Sequence, residues 1–131
     1  MRADSHTTGL AAEYQVMSCL IRKGYEVYLT VGNKKKTDIR VICPESNKVW
    51  SIDVKAVRGY SSLVVNNVKA SADHIIVFAI YNDKFEQIEY MPELFVVPSL
   101  EVDSITSLFK KEKRVMKNTL LKYKSKWSYL V

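Results

Sequence analysis

The chain has 131 residues, 47% of them apolar and 26% charged, which is enough for one domain to bury a core without disulfides or a structural metal. No apolar run reaches the length of a membrane span, and Met1–His6 lacks the apolar stretch of a secretory signal, so a cytoplasmic protein with no membrane partner is expected. The net charge of +6 is uneven: residues 110–126 hold eight bases against one acid, whereas residues 1–109 hold 12 bases against 13 acids.

Residues 8–23 read as an amphipathic helix. Leu10, Tyr14, Met17, Leu20 and Ile21 recur at three- and four-residue spacing, Thr7 or Thr8 can cap the start, and Gly24 fits the stop. Tyr25–Val31 alternates like a strand, and Gly32-Asn33-Lys34-Lys35-Lys36 reads as a turn with a positive tip. Thr37–Cys43 and Lys48–Val57 are predicted strands joined by the hairpin loop Pro44-Glu45-Ser46-Asn47.

Past Arg58-Gly59-Tyr60 the pattern weakens, and Leu63–Val68 fits either a short strand or a loop. Ile75–Tyr81 is a continuous apolar run, as in a strand buried on both faces. Residues 82–91 read as loop, Leu94–Val97 as a strand, and Ser99–Phe109 and Asn118–Tyr129 as helices. Cys19 and Cys43 lack metal-ligand spacing and read as reduced fillers.

The chemistry concentrates on four residues. Asp is disfavoured in strands because its side chain competes for backbone hydrogen bonds, yet Asp38 opens one predicted strand and Asp53 lies inside the next. Residues two apart on a strand share a face at roughly 6.5–7 Å, so Asp53 and Lys55 project together with Ser51. If the two strands pair as a hairpin, Asp38 lies near that side. Hard oxygen ligands without His or Cys suit Mg²⁺, with Mn²⁺ able to substitute.

The order Glu13 on the first helix, Asp38 on a strand, then Asp53-Val54-Lys55 resembles the PD-(D/E)XK nuclease superfamily. Gly9-Leu10-Ala11-Ala12-Glu13, with Lys23-Gly24-Tyr25-Glu26-Val27 after the helix, is similar to archaeal Holliday-junction resolvases. The resemblance covers residues 9–81, and Thr37 stands where the motif's Pro would precede Asp38. It implies an α/β restriction-endonuclease-like fold, a central mixed β-sheet flanked by helices in the order αβββαβ.

It also implies Mg²⁺-dependent cleavage of branched or duplex DNA, by a homodimer with one site per strand. Asp38, Asp53 and the Val54 carbonyl would hold the metal, Glu13 would bind through water, and Lys55 would position or deprotonate the attacking water. Two carboxylates favour the charged form of Lys55 and an arriving divalent cation disfavours it, so a base role depends on the metal. Lys34, Lys35, Lys36, Arg58, Tyr60, Lys110, Lys111, Lys113 and Arg114 are the candidate DNA contacts. The alternative is a non-catalytic nucleic-acid-binding or assembly module that keeps the fold.

Overall fold

The computed structural model describes residues 5–31, 37–65 and 68–131. Helix α1 (Ser5–Arg22) buries Ala12, Val16 and Leu20, a four-residue repeat that keeps one stripe on the core. It stops at Gly24, whose φ of +97° is costly for any residue with a Cβ. Strands β1 (Glu26–Val31), β2 (Thr37–Ile42) and β3 (Val49–Val57) then form an antiparallel meander. The turn between β2 and β3 places Asn47 at a φ of 60°, a region Asn tolerates.

β5 (His74–Ile80) lies parallel to β3, and β6 (Glu93–Pro98) pairs antiparallel with β5. The result is a five-stranded mixed sheet in the order β1-β2-β3-β5-β6. β5 is its centre of burial: Ile75–Ile80 are all fully buried, which explains the unbroken apolar run.

The two faces of this sheet are covered differently. One face, carrying Ile39, Val41, Trp50, Ile52, Ile75, Val77, Ala79 and Val96, shares a cluster with Ala12, Val16 and Leu20 of α1 and with Trp127 and Leu130 of the C-terminal segment. The other face, carrying Ile76, Phe78, Ile80, Phe95 and Val97, is covered by Leu63, Val65, Val102, Val115, Leu120 and Tyr123. Of these, Leu63 and Val115 belong to a second sheet, β4 (Ser62–Val64), β8 (Glu112–Met116) and β7 (Thr106–Phe109), ordered β4-β8-β7, and the other four lie outside its strands.

Three expectations are corrected here. The connection from β3 to β5 carries strand β4 and, among the described residues, no helix, so the αβββαβ order loses its second helix. Gly59, paired serines and Val64-Val65 are poor helix formers, and β4 gains its ladder from β8. Ser99–Phe109 is two 3-10 turns (Ser99–Glu101 and Asp103–Ile105) followed by β7. Asn118–Tyr129 is likewise broken: α2 (Lys117–Leu120) is a single turn, with 3-10 turns at Leu121–Tyr123 and Trp127–Tyr129.

The C-terminal segment is nevertheless firmly docked. Tyr123 is buried and donates to Glu101 at 2.7 Å. Burial, with the Glu101 carboxylate beside it, pushes its phenol up to about 12. Tyr25 donates to the Leu130 carbonyl at 2.9 Å, and the Trp50 indole to the Val131 carbonyl at 3.3 Å.

Glu93 fastens the same segment. Its carboxylate takes Lys117 Nζ at 2.8 Å, Lys124 Nζ at 3.0 Å and the Asn82 amide at 2.8 Å. Burial alone would raise its pKa, but the Lys117, Asn82 and Lys124 donors outweigh burial and hold it at about 2. A carboxyl lowered from 4.5 to about 2 stabilises the fold fully above the higher value and loses that stabilisation as pH falls through the lower one.

Glu93→Gln should therefore cost on the order of 2 kcal/mol at neutral pH, discounted for the half-exposed Lys124. The gap to wild type should close as pH approaches 2, as read from urea midpoints of both proteins across that range. A gap that stays constant with pH would remove the ion-pair account.

Candidate active site

Strand alternation decides what faces where on β3. Trp50 and Ile52 are buried under α1, with Val54 and Ala56 packed against the same cluster. Ser51, Asp53 and Lys55 therefore project from the opposite face. Asp53 lies beside Ile76 and Lys55 beside Phe78 in the parallel ladder. The β4-β8-β7 sheet covers the β5–β6 half of this face. Over β1–β3 the face stays open, with Tyr28, Arg40 and Val49 exposed.

On this shelf Lys55 Nζ stands 3.8 Å from Asp53 Oδ2, both side chains in partial contact with solvent. An ion pair of that kind adds little to stability. Ser51 Oγ and His74 Nδ1 share a hydrogen bond on the same face. His74 closes a turn through its N–H to the Ser71 carbonyl at 3.4 Å and stands at the head of β5, opposite Ser51. Sequence reasoning missed this pair, because it depends on the β3–β5 register, which no local pattern encodes.

The ladder between β2 and β3 is short. It runs from Ile42↔Val49 to Ile39↔Ile52 and ends there, although β3 continues to Val57 alongside β5. The two strands thus form a fork. Continuing the register by one residue sets Asp38 across from Asp53; the Asp38 side chain lies outside the described residues.

Backbone directions identify what lines the fork. The Ser51 N–H donates to the Asp73 carbonyl at 2.9 Å, and the Val57 carbonyl accepts from Tyr81 N–H at 3.1 Å. Odd-numbered residues of β3 therefore turn their peptide groups toward β5, and even-numbered ones toward β2. The Val54 carbonyl falls among the latter, two residues past the last β2 pair. An amide left without a ladder partner seeks another donor, water or a cation.

The other candidates are placed as follows. Glu13 follows the buried Ala12 on α1 and is half-buried. Its helix packs on the face of the sheet opposite to the one carrying Asp53 and Lys55. Among the described residues no three acids, histidines or cysteines are grouped as a metal site.

Arg58 donates from Nε to Thr8 Oγ1 at 2.7 Å and stacks 3.9 Å over the Phe85 ring. It clamps α1 to the sheet rather than pointing to solvent. Tyr60 is exposed, and Lys34, Lys35 and Lys36 lie outside the described residues. Lys110 and Lys111 form the tip of the β7–β8 hairpin, with Lys113 and Arg114 on β8.

Compared with protein-family models, curated proteins and solved structures, the chain matches none. No helix among the described residues is long and apolar enough to cross a membrane.

Proposed function

We propose that this chain is a divalent-metal-dependent endodeoxyribonuclease of the PD-(D/E)XK type, acting on branched or duplex DNA. The observation that carries the reading is the fork at Asp53. A helix, three antiparallel strands and a fourth strand parallel to the third place Asp53 and Lys55 where β2 parts from β3, with Asp38 next in register. The restriction-endonuclease-like fold is part of the same proposal.

The residues at the fork suit Mg²⁺ or Mn²⁺. Asp38, Asp53 and the Val54 carbonyl are hard oxygen donors without nitrogen or sulfur, and Glu13 would contribute through water at the fork. Such an ion supplies Lewis acidity at a phosphoryl oxygen and makes water a nucleophile near neutral pH. Lys55, held against Asp53, would position the attacking water or offset charge on the phosphate, and would take a proton from that water only with the metal bound. The open face over β1–β3 leaves room for a broad polymeric substrate rather than a small enclosed ligand. A homodimer would bring two such sites to two strands.

The second reading is a nucleic-acid-binding module without catalysis. The basic β7–β8 hairpin, with Lys110 and Lys111 at its tip, favours it, because such charge serves binding without chemistry. Incubation with Mg²⁺ or Mn²⁺ on supercoiled, linear, single-stranded and four-way-junction DNA separates the two, with Asp53→Ala as control. Metal-dependent cleavage lost in the control supports the nuclease. Equal background from both proteins on every substrate supports the module.

A further inference from the structure

The β7–β8 hairpin is built unlike the rest of the surface. Its base is anchored: Val115 is fully buried against Leu63 and the underside of β5. Its tip is not. Leu108 is 70% exposed and Phe109 48% exposed, at the end of a hairpin whose two-residue loop is Lys110-Lys111. Lys110 takes a φ of 56°, in the left-handed region where tight hairpins favour Gly or Asn. A positive charge thus occupies a position where turn chemistry alone would select something else.

The tip's own acid is neutralised from within. Glu112 pairs with Arg114 at 2.8 Å, and Arg114 also donates to Ser62 Oγ at 2.9 Å. Among the described residues, Lys110, Lys111 and Lys113 have no acidic partner. Lys117 and Lys124, by contrast, are held by Glu93. Of the five bases in residues 110–126 that no acid holds among the described residues, three (Lys110, Lys111 and Lys113) therefore gather on this hairpin, around one exposed aromatic ring and one leucine.

We propose that the hairpin tip is a DNA contact, in which Lys110, Lys111 and Lys113 take backbone phosphates and Phe109, beside Leu108, stacks on an exposed base. Ammonium groups interleaved with an aromatic are the combination that binds single strands and unstacked junctions. Two apolar side chains make a stacking platform for a base, not the broad apolar face that inserts into a lipid surface. The small sheet also packs on the same face of the main sheet that carries Asp53 and Lys55, so one nucleic acid could lie along both. The choice of DNA as partner rests on the nuclease reading; the geometry of the contact does not.

The test is metal-free binding by the full chain in EDTA, so that cleavage plays no part. Anisotropy is read on labelled duplex, single-stranded and four-way-junction DNA over a range of salt. Lys110→Gln with Lys111→Gln should weaken binding to all three and flatten the salt dependence on duplex by about two phosphate contacts' worth. Leu108→Ser with Phe109→Ser should weaken single-strand and junction binding about tenfold while leaving duplex binding little changed. Both variants alter exposed positions, and unchanged melting confirms their fold.

Unchanged affinity and salt slope in both variants, or no DNA binding by the wild type, would overturn the contact. So would binding to phosphatidylserine vesicles that the same variants abolish while DNA binding persists. Hairpin-dependent binding without cleavage would support the contact and count against the nuclease alone.

Discussion

Lys55→Ala should retain Mn²⁺ binding and lose cleavage by on the order of 10²–10⁴-fold, whereas Asp53→Ala should lose both. The two side chains lie 3.8 Å apart on one face of β3, yet the proposed mechanism gives them separate tasks. Asp53 is an oxygen donor at the fork, and removing it leaves the Val54 carbonyl and Asp38 too few partners to hold a hard cation that keeps several waters. Lys55 is no ligand. Its loss removes a proton carrier or a compensating charge, which acts in the transition state rather than in metal binding. Calorimetric Mn²⁺ titration beside plasmid nicking separates these outcomes. Because both residues are partly exposed and their pairing adds little to stability, neither variant should unfold. Cleavage by either variant at the wild-type rate would sink the assignment.

Phe78→Ala should destabilise the protein by about 3–5 kcal/mol. Phe78 is fully buried in the cluster that holds the small sheet against β5, with Leu63, Val115 and Tyr123 in the same cluster. Deleting the ring leaves a cavity that backbone-constrained neighbours in two sheets cannot collapse to fill. The consequence reaches function, because Phe78 lies opposite Lys55 in the ladder and beneath the sheet that carries the basic hairpin. The urea midpoint should fall sharply while the steepness of unfolding stays near wild type. A loss below about 1 kcal/mol would mean that the two sheets are not one packed unit.

Much of the first 80 residues can be read from periodicity. The helix ending at Gly24, the alternation in β1, β2 and β3, and the apolar run of β5 each follow from local pattern, and the observed bounds lie within a few residues of those expected. Alternation also carries information about Glu13. Val54 and Ala56 are apolar and odd-numbered neighbours polar, so an amphipathic helix must cover the Val54 side and stand behind Asp53. The resemblance drew Glu13 toward the acids, whereas periodicity places only its helix, on the other face of the sheet.

The last third is less legible for a different reason. Val102 and Ile105 have helical spacing, but β8 is decided by pairing with β4, far earlier in the chain, and β7 by pairing with β8. Only Val115 of β8 is fully buried, so alternation there is too faint to announce a strand. Tertiary partners override local preference in this region. The same blindness applies to charge: nothing local distinguishes Lys117, which Glu93 holds at 2.8 Å, from Lys111 at an open hairpin tip.

The claim on which the rest depends is that Asp38 and Asp53 share one divalent ion at the fork. Electron paramagnetic resonance of free Mn²⁺ measures it directly, in wild type, Asp38→Asn, Asp53→Asn and the double variant. The shared site predicts saturable binding by the wild type, a large loss in each single variant, and little further loss in the double, because both carboxylates serve one ion. Binding by either single variant that equals wild type, or losses that simply add, would contradict it.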